Sequence, residues 1–196
     1  MLLRTLFVLL FFGVAVSGSA QTNLVVFVGD SITYGCHWAA VLGNPDIVNQ
    51  GVSGNTTRDI LARLDSIADP QAKTYFIMAG INDLRKNIRP DETVSNIRKI
   101  VLALKRASPD ADIVLQSILP VNSRIRPFMF GTSIIPEVNA KIREIASPDA
   151  RVFFLDLYST FADEHGRLKE DYTVDGIHLS AAGYDAWADI LRLWRQ

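Results

Sequence analysis

Short runs of β-branched and aromatic residues alternate along the chain with longer runs whose apolar positions recur at three- and four-residue steps. The short runs are Leu24–Val28, Asp46–Asn49, Thr74–Ala79, Asp112–Ser117 and Arg151–Asp156. Most of their positions are apolar on both alternations, which predicts strands covered on both faces. The longer runs predict helices. Thr56–Ile67 sets Ile60, Leu61 and Leu64 on one side, and Glu92–Ala107 repeats Val94, Ile97, Val101 and Leu104 before Ser108-Pro109 stops it. Two further helices are expected over Pro136–Ala146 and Ser180–Trp194, the latter capped by Ser180. Strands alternating with helices make βαβ units, so the expected fold is one α/β domain, residues 21–196, built on a five-stranded parallel sheet.

One segment breaks the rhythm. Leu119–Ser133 holds Pro120, Pro127 and Gly131, has no period, and is longer than most connections in compact domains, which marks it as a functional or mobile loop. The first twenty residues differ in another way. A basic start ending at Arg4, an apolar run over Leu6–Val16 and a small-x-small site at Gly18-Ser19-Ala20 predict a cleaved signal peptide over residues 1–20. The apolar run is shorter than the ~20 residues that span a bilayer, and Gln21 rather than Cys follows the cut, so neither a membrane anchor nor a lipid anchor is expected. The protein is expected to be exported, to the periplasm or outside the cell, with no stable membrane insertion after cleavage. Cys36 is the single cysteine, so no internal disulfide can form; it is expected to be a small buried residue. A net charge of −1 with mixed signs argues against a nucleic-acid partner.

The candidate chemistry lies after the strands, where open α/β sheets bind ligands. Gly29-Asp30-Ser31 follows the first strand and puts Ser31 at a strand-to-helix turn. A serine hydroxyl needs a base within hydrogen-bond reach, itself oriented by a third group. Asp175-Gly176-Ile177-His178 supplies both, with the carboxylate three residues before the imidazole, close enough to fix the ring's tautomer. Acyl transfer also needs donors for an oxyanion. Ser31 N–H, Gly54 N–H after the second strand and the Asn82 amide after the third are the candidates. Asp30 and Asp83 are expected to shape loops through local hydrogen bonds, and Thr56 and Thr57 to cap a helix. His37 and His165 have no catalytic company and are expected at the surface or in packing.

Four blocks in this order, Gly29-Asp30-Ser31, Gly54 within Asn49–Thr57, Gly80-x-Asn82-Asp83 and Asp175-x-x-His178, resemble the SGNH (GDSL-like) hydrolase superfamily. The wording of Asn49–Arg58 is similar to its acetylhydrolase branch. That resemblance implies a flavodoxin-like three-layer α/β/α fold and hydrolysis of short acyl esters with neither cofactor nor metal. The expected reading is a serine esterase acting on a small-molecule or glycan acetyl ester through an acyl-enzyme on Ser31, with a lysophospholipase or thioesterase as the alternative. Asn55, Arg124, Arg126, Phe128 and Phe130 are candidate substrate contacts, the aromatics walling an acyl pocket and an arginine meeting an anionic group. Two other classes are weighed. A metal-dependent phosphoesterase would use Asp30, Asn82, Asp83 and His178 as ligands, but such sites want more histidines than the three present. A non-catalytic carbohydrate-binding protein on the same fold would be expected to lose Ser31, Asn82 or His178, and all three are kept. Oligomeric state is not readable from the sequence.

Overall fold

The computed structural model describes residues 23–128 and 133–194, so the predicted leader and the loop residue Phe130 lie outside the described residues. Five strands, β1 (Val25–Gly29), β2 (Ile47–Gly51), β3 (Thr74–Met78), β4 (Asp112–Gln116) and β5 (Val152–Leu155), form one sheet in the order β2-β1-β3-β4-β5. Every pairing is parallel. The helices are α1 (Ser31–Tyr34), α2 (Trp38–Leu42), α3 (Thr57–Ala62), α4 (Ile81–Arg85), α5 (Pro90–Ala107), α6 (Ile134–Arg143), α7 (Tyr158–Phe161) and α8 (Ala181–Leu193).

The chain leaves β1 in one direction along the sheet and afterwards moves only in the other. Because parallel crossovers are right-handed, this reversal sends the connecting helices to opposite faces: α3, α5 and α6 contact one another in a row, and α2 contacts α8. The layers are α/β/α in flavodoxin-like order, as expected. Each face has its own core. Under α2 and α8, Phe27 stacks on Trp38 at 4.7 Å and on Phe76 at 4.9 Å, and Trp38 meets the edge of Trp187 at 4.6 Å. Trp187 is fully buried and donates its indole N–H to Gln116 Oε1 at 2.7 Å, so this layer also satisfies the polar atom it encloses. The other face buries Ile60, Ile97, Ile100, Leu104, Val138 and Ile142.

All five strands fall where the sequence reading puts them, within a residue or two. The helices need more correction. Thr56–Ile67 is not one helix: α3 ends at Ala62 and a short 3-10 turn over Leu64–Ser66 follows. The break falls at Arg63, whose side chain turns away to bind Asn55 and Gln50 and whose carbonyl accepts from Ser66 Oγ at 2.7 Å. The third predicted helix starts earlier, at Ile134, and accommodates Pro136 in its first turn, where the missing N–H has no helical partner to lose. Ser180 caps α8 by accepting from Gly183 N. Helix α1 begins at the strand-to-helix turn expected at Ser31, while α2, α4 and α7, of four or five residues, are too short to show a period and were not expected.

Replacing Trp187 with Ala should destabilise the protein by roughly 3–5 kcal/mol, since it opens a cavity between two aromatic rings and orphans Gln116 Oε1. Urea unfolding measures it, and a loss under about 1 kcal/mol would mean that the Phe27–Trp38–Trp187 stack does not hold α8 to the sheet.

Candidate active site

β1 ends at Gly29, and Asp30 caps α1 by accepting from Ile32 N at 2.9 Å, so the helix begins on Ser31 itself. This fixes the Ser31 backbone at the carboxyl end of β1, between β2 and β3, with its N–H at a helix position that has no intrahelical acceptor. Ser31 Oγ lies 3.1 Å from His178 Nε2, and His178 Nδ1 lies 2.8 Å from Asp175 Oδ2. A hydroxyl, an imidazole and a carboxylate thus form one hydrogen-bonded chain, with Ser31 and His178 separated by 147 positions in sequence.

The loop carrying Asp175 and His178 is pinned by its own backbone. Thr173 and Leu179 form an antiparallel bridge at its neck. Inside, the Thr173 hydroxyl donates to His178 O at 2.8 Å and accepts from Gly176 N at 2.9 Å, while Val174 N also donates to His178 O at 3.0 Å. Asp175 Oδ1 accepts from Ile177 N at 3.1 Å and His178 N at 2.8 Å, leaving Oδ2 for the ring. The turn needs φ +88° at residue 176, a conformation that glycine adopts without a Cβ penalty. Partial burial pushes the Asp175 carboxyl upward, but the hydrogen bonds from the His178 backbone and ring and from Ile177 N outweigh it and hold the group below its ordinary value.

Two further blocks lie next to the Ser31 turn, joined to it where Val52 N donates to Gly29 O at 3.1 Å. Gly54 sits exposed on the turn after β2 at φ +78°, with open space where a Cβ would stand. Asn82, buried in the first turn of α4, donates from its amide to Asn55 O at 3.0 Å and accepts from Arg85 Nη1 at 3.3 Å, which orients the amide and leaves its second N–H as a donor. Several side chains hold the two blocks together. Arg63 donates to Asn55 Oδ1 and Gln50 O, both at 2.7 Å, and Lys86 donates to Gly54 O at 3.1 Å. Asp83, fully buried, accepts from Thr57 N at 2.9 Å, from the Thr57 hydroxyl and from the Thr93 hydroxyl at 3.4 Å. Burial pushes the Asp83 carboxyl upward in spite of these bonds.

The structure therefore brings together Ser31, Gly54, Asn82, Asp175 and His178 on one edge of the sheet, by contacts within and between their blocks. The loop candidates fare differently. The Asn55 side chain is held by Arg63 rather than presented to a ligand. Arg124 is exposed on the loop, with its N–H on Asn122 Oδ1 at 3.1 Å. Arg126 is engaged on Asp175 Oδ2 at 3.1 Å. Phe128 is half-buried and packs against the core. His37 and His165 are exposed and Cys36 is buried. Asp30 makes the local turn expected of it, whereas Asp83 does not: its partners are 26 and 10 residues away, because a carboxylate sealed under α3 and α5 must find donors on those helices. The sequence reading missed Arg63 as the brace of the Gly54 turn, and no local pattern marks it.

This sheet order, with a hydroxyl–imidazole–carboxylate chain at its carboxyl edge, defines a hydrolase of the GDSL-like type. The GDSL-like Lipase/Acylhydrolase family profile matches residues 27–186, and the chain belongs to that family. It is similar to the alpha1 subunit of platelet-activating factor acetylhydrolase IB from Rattus norvegicus, 24% identical over 164 residues that cover 82% of this chain and 69% of that one. Among solved structures it is similar to one described as a platelet activating factor from Streptococcus pneumoniae, with TM-score 0.81, 32% identity and coverage of 91% of this chain and 85% of the other. The fold also matches an acetylxylan esterase from Geobacillus stearothermophilus at TM-score 0.70 and 23% identity, covering 86% and 92% of the two chains. The protein is a carboxylic ester hydrolase.

Asp30, 1% exposed, is pushed up to about 6, chiefly by burial and against the Ile32 N–H and His178, which favour its ionised form. Its folded value thus lies above the ordinary 3.8, so ionising it costs stability: nothing below about pH 4, the full cost above about pH 6. Asp30→Asn, which keeps the bond to Ile32 N, should gain on the order of 2–3 kcal/mol over the native protein at pH 8 and little at pH 4. Urea unfolding of both proteins at the two pH values tests this, and an equal difference at both would show that the charge carries no penalty.

Proposed function

We propose that the protein is a serine esterase that removes acetyl groups from exported or extracellular carbohydrate. The observation that carries the reading is the Ser31–His178–Asp175 chain, with 3.1 Å and 2.8 Å between successive members, beside the Gly54 and Asn82 blocks. Ser31 Oγ attacks the ester carbonyl while His178 Nε2 takes its proton. The charge that develops on the carbonyl oxygen is met by Ser31 N–H, Gly54 N–H and the Asn82 amide. Collapse breaks the ester bond, and the imidazolium returns its proton to the departing alcohol. Water, deprotonated by the same imidazole, then attacks the acetyl-enzyme and releases acetate with Ser31 restored. Asp175 holds the ring in the tautomer with hydrogen on Nδ1 and stabilises it when charged.

The preference for a short acyl group has two supports. The relatives include proteins named as an acetylhydrolase subunit and an acetylxylan esterase. Between the five strands and their helices, moreover, the described chain has no segment large enough to fold as a lid domain over a long acyl tail. Carbohydrate as the acetyl carrier is supported by the leader expected from the sequence over residues 1–20, which would deliver the enzyme among extracellular glycans. Exposed Arg124, on the loop after β4, is the residue proposed to meet an acidic sugar.

Purified protein should hydrolyse p-nitrophenyl acetate far faster than the palmitate ester in a C2-to-C16 series; a maximum at C8 or beyond would replace the acetylesterase reading with lipid ester hydrolysis. Ser31→Ala should lose about 10⁴-fold or more in kcat, and Asn82→Ala about 10²–10³-fold, both with an unchanged circular-dichroism spectrum. Undiminished turnover by Ser31→Ala refutes the nucleophile.

A further inference from the structure

The long loop after β4 does more than border the site. Asn122, 1% exposed, donates its backbone N–H to Gly176 O at 2.8 Å and its side-chain amide to Leu168 O at 2.8 Å. Its own carbonyl accepts from Arg126 N at 3.0 Å, closing a turn over residues 122–126. That turn is seated directly on the loop that carries Asp175 and His178. A Cβ on Gly176 would stand 2.8 Å from Asn122 O and 3.2 Å from Arg126 Cβ, so the two segments touch backbone to backbone. From this seat the Arg126 guanidinium reaches Asp175 Oδ2, the same oxygen that accepts His178 Nδ1. A cation and the catalytic ring therefore share one carboxylate oxygen.

We propose that Arg126 is a positioning residue of the triad: its guanidinium anchors the Asp175 carboxylate and sets a positive charge against the oxygen that orients His178, the base that accepts the Ser31 proton. The inference rests on His178 being the base of the reaction proposed above. Its physics is a balance of charges around one ring. Asp175 at Nδ1 and Asp30 from the turn between β1 and α1 both favour the imidazolium. Arg126 opposes them from the third side, and Arg85 and Asp83 act one step further back through Asp30. Without Arg126, the two carboxylates would act on the ring unopposed from that side. Arg126 also places one of its donors on Asp175 Oδ2, which limits rotation of the carboxylate away from the ring.

The test follows the ring directly. His178 is titrated by NMR in the native protein, Arg126→Gln and Arg126→Lys, the signal being assigned by its loss in His178→Gln, and the pH dependence of kcat/KM on p-nitrophenyl acetate is measured in parallel. Arg126→Gln should move the ring titration and the acidic limb of the rate profile upward together by about half to one pH unit. Arg126→Lys should bring both most of the way back, and the displacement should shrink in ~1 M salt, where the Debye length is about 3 Å. A role in packing alone would lower turnover at every pH and leave the ring titration in place. That result, or equal displacement in the Gln and Lys variants, overturns the proposal. Should the native protein cleave no ester, the proposed reaction fails, while the ring titration still decides the part played by Arg126.

Discussion

The active-site edge depends on one register. Gly29 at the end of β1 pairs with Gly51 on one side and Met78 on the other, so three neighbouring strands end level. Parallel strands lie about 4.8 Å apart, and chains leaving three level ends enter turns only one or two strand spacings from one another. The Ser31 turn, the Gly54 turn and the Asn82 helix are those three exits. A slip of one residue in β1 would not merely shift Ser31 along the sheet; it would reverse which side chains of β1 face each layer, driving Phe27 out of its stack with Trp38. The aromatic core beneath α8 and the position of the nucleophile are therefore set by the same pairing.

Level strand ends bring the turns near one another but do not fix them to the precision that acyl transfer needs. That is the work of the polar braces between blocks. Arg63 and Asp83 span the gaps, the first tying the Gly54 turn to the end of β2, the second tying the start of α3 to α4 and α5. Both are partly or wholly dehydrated charges, each of which would be costly alone and is tolerated because several hydrogen bonds meet it. The Asn82 amide is then aimed through Asn55 O, which Arg63 itself helps to hold. A donor to an oxyanion is useful only if it is already in place when charge develops, and this chain of contacts is how the fold keeps it there.

What could be read from the sequence follows from the range of each interaction. Strands buried on both faces announce themselves by composition, so all five were legible, and the carboxyl-end rule then placed Ser31, Gly54 and Asn82 on one edge. Asp175 and His178 were legible because their bond spans three residues. The misses are long-range or competitive. Asp83 reads as an ordinary turn former, yet it binds Thr57, 26 positions away. Arg126 reads as a loop cation free for substrate, and its partner Asp175 lies 49 positions on. The helix expected over Thr56–Ile67 keeps its apolar period, with Ile60 and Leu64 buried, but breaks at Arg63 because that residue's tertiary bonds outweigh one more turn of helix. Periodicity reports which face is apolar; it carries no information about a polar side chain's partner across the fold.

The two carboxylates nearest the ring show how environment separates groups of the same chemistry. Asp175, partly exposed, is pushed up by what burial it has but held below its ordinary value by three N–H groups of its own loop. Asp30, sealed beneath Ser31, is held near 6 by the loss of water. An Asn at position 30 could accept the same bond from Ile32 N, so the capping geometry alone does not account for a carboxylate there. What an amide could not supply is negative charge, and the group on which that charge acts favourably is His178. During acyl transfer the ring passes from neutral to charged and back, and a carboxylate whose own ionisation is favoured by that charge follows the ring's demand. In the reaction proposed above, the fold would give up stability at the cap of α1 and hold a second anion whose charge favours the ring when it is charged.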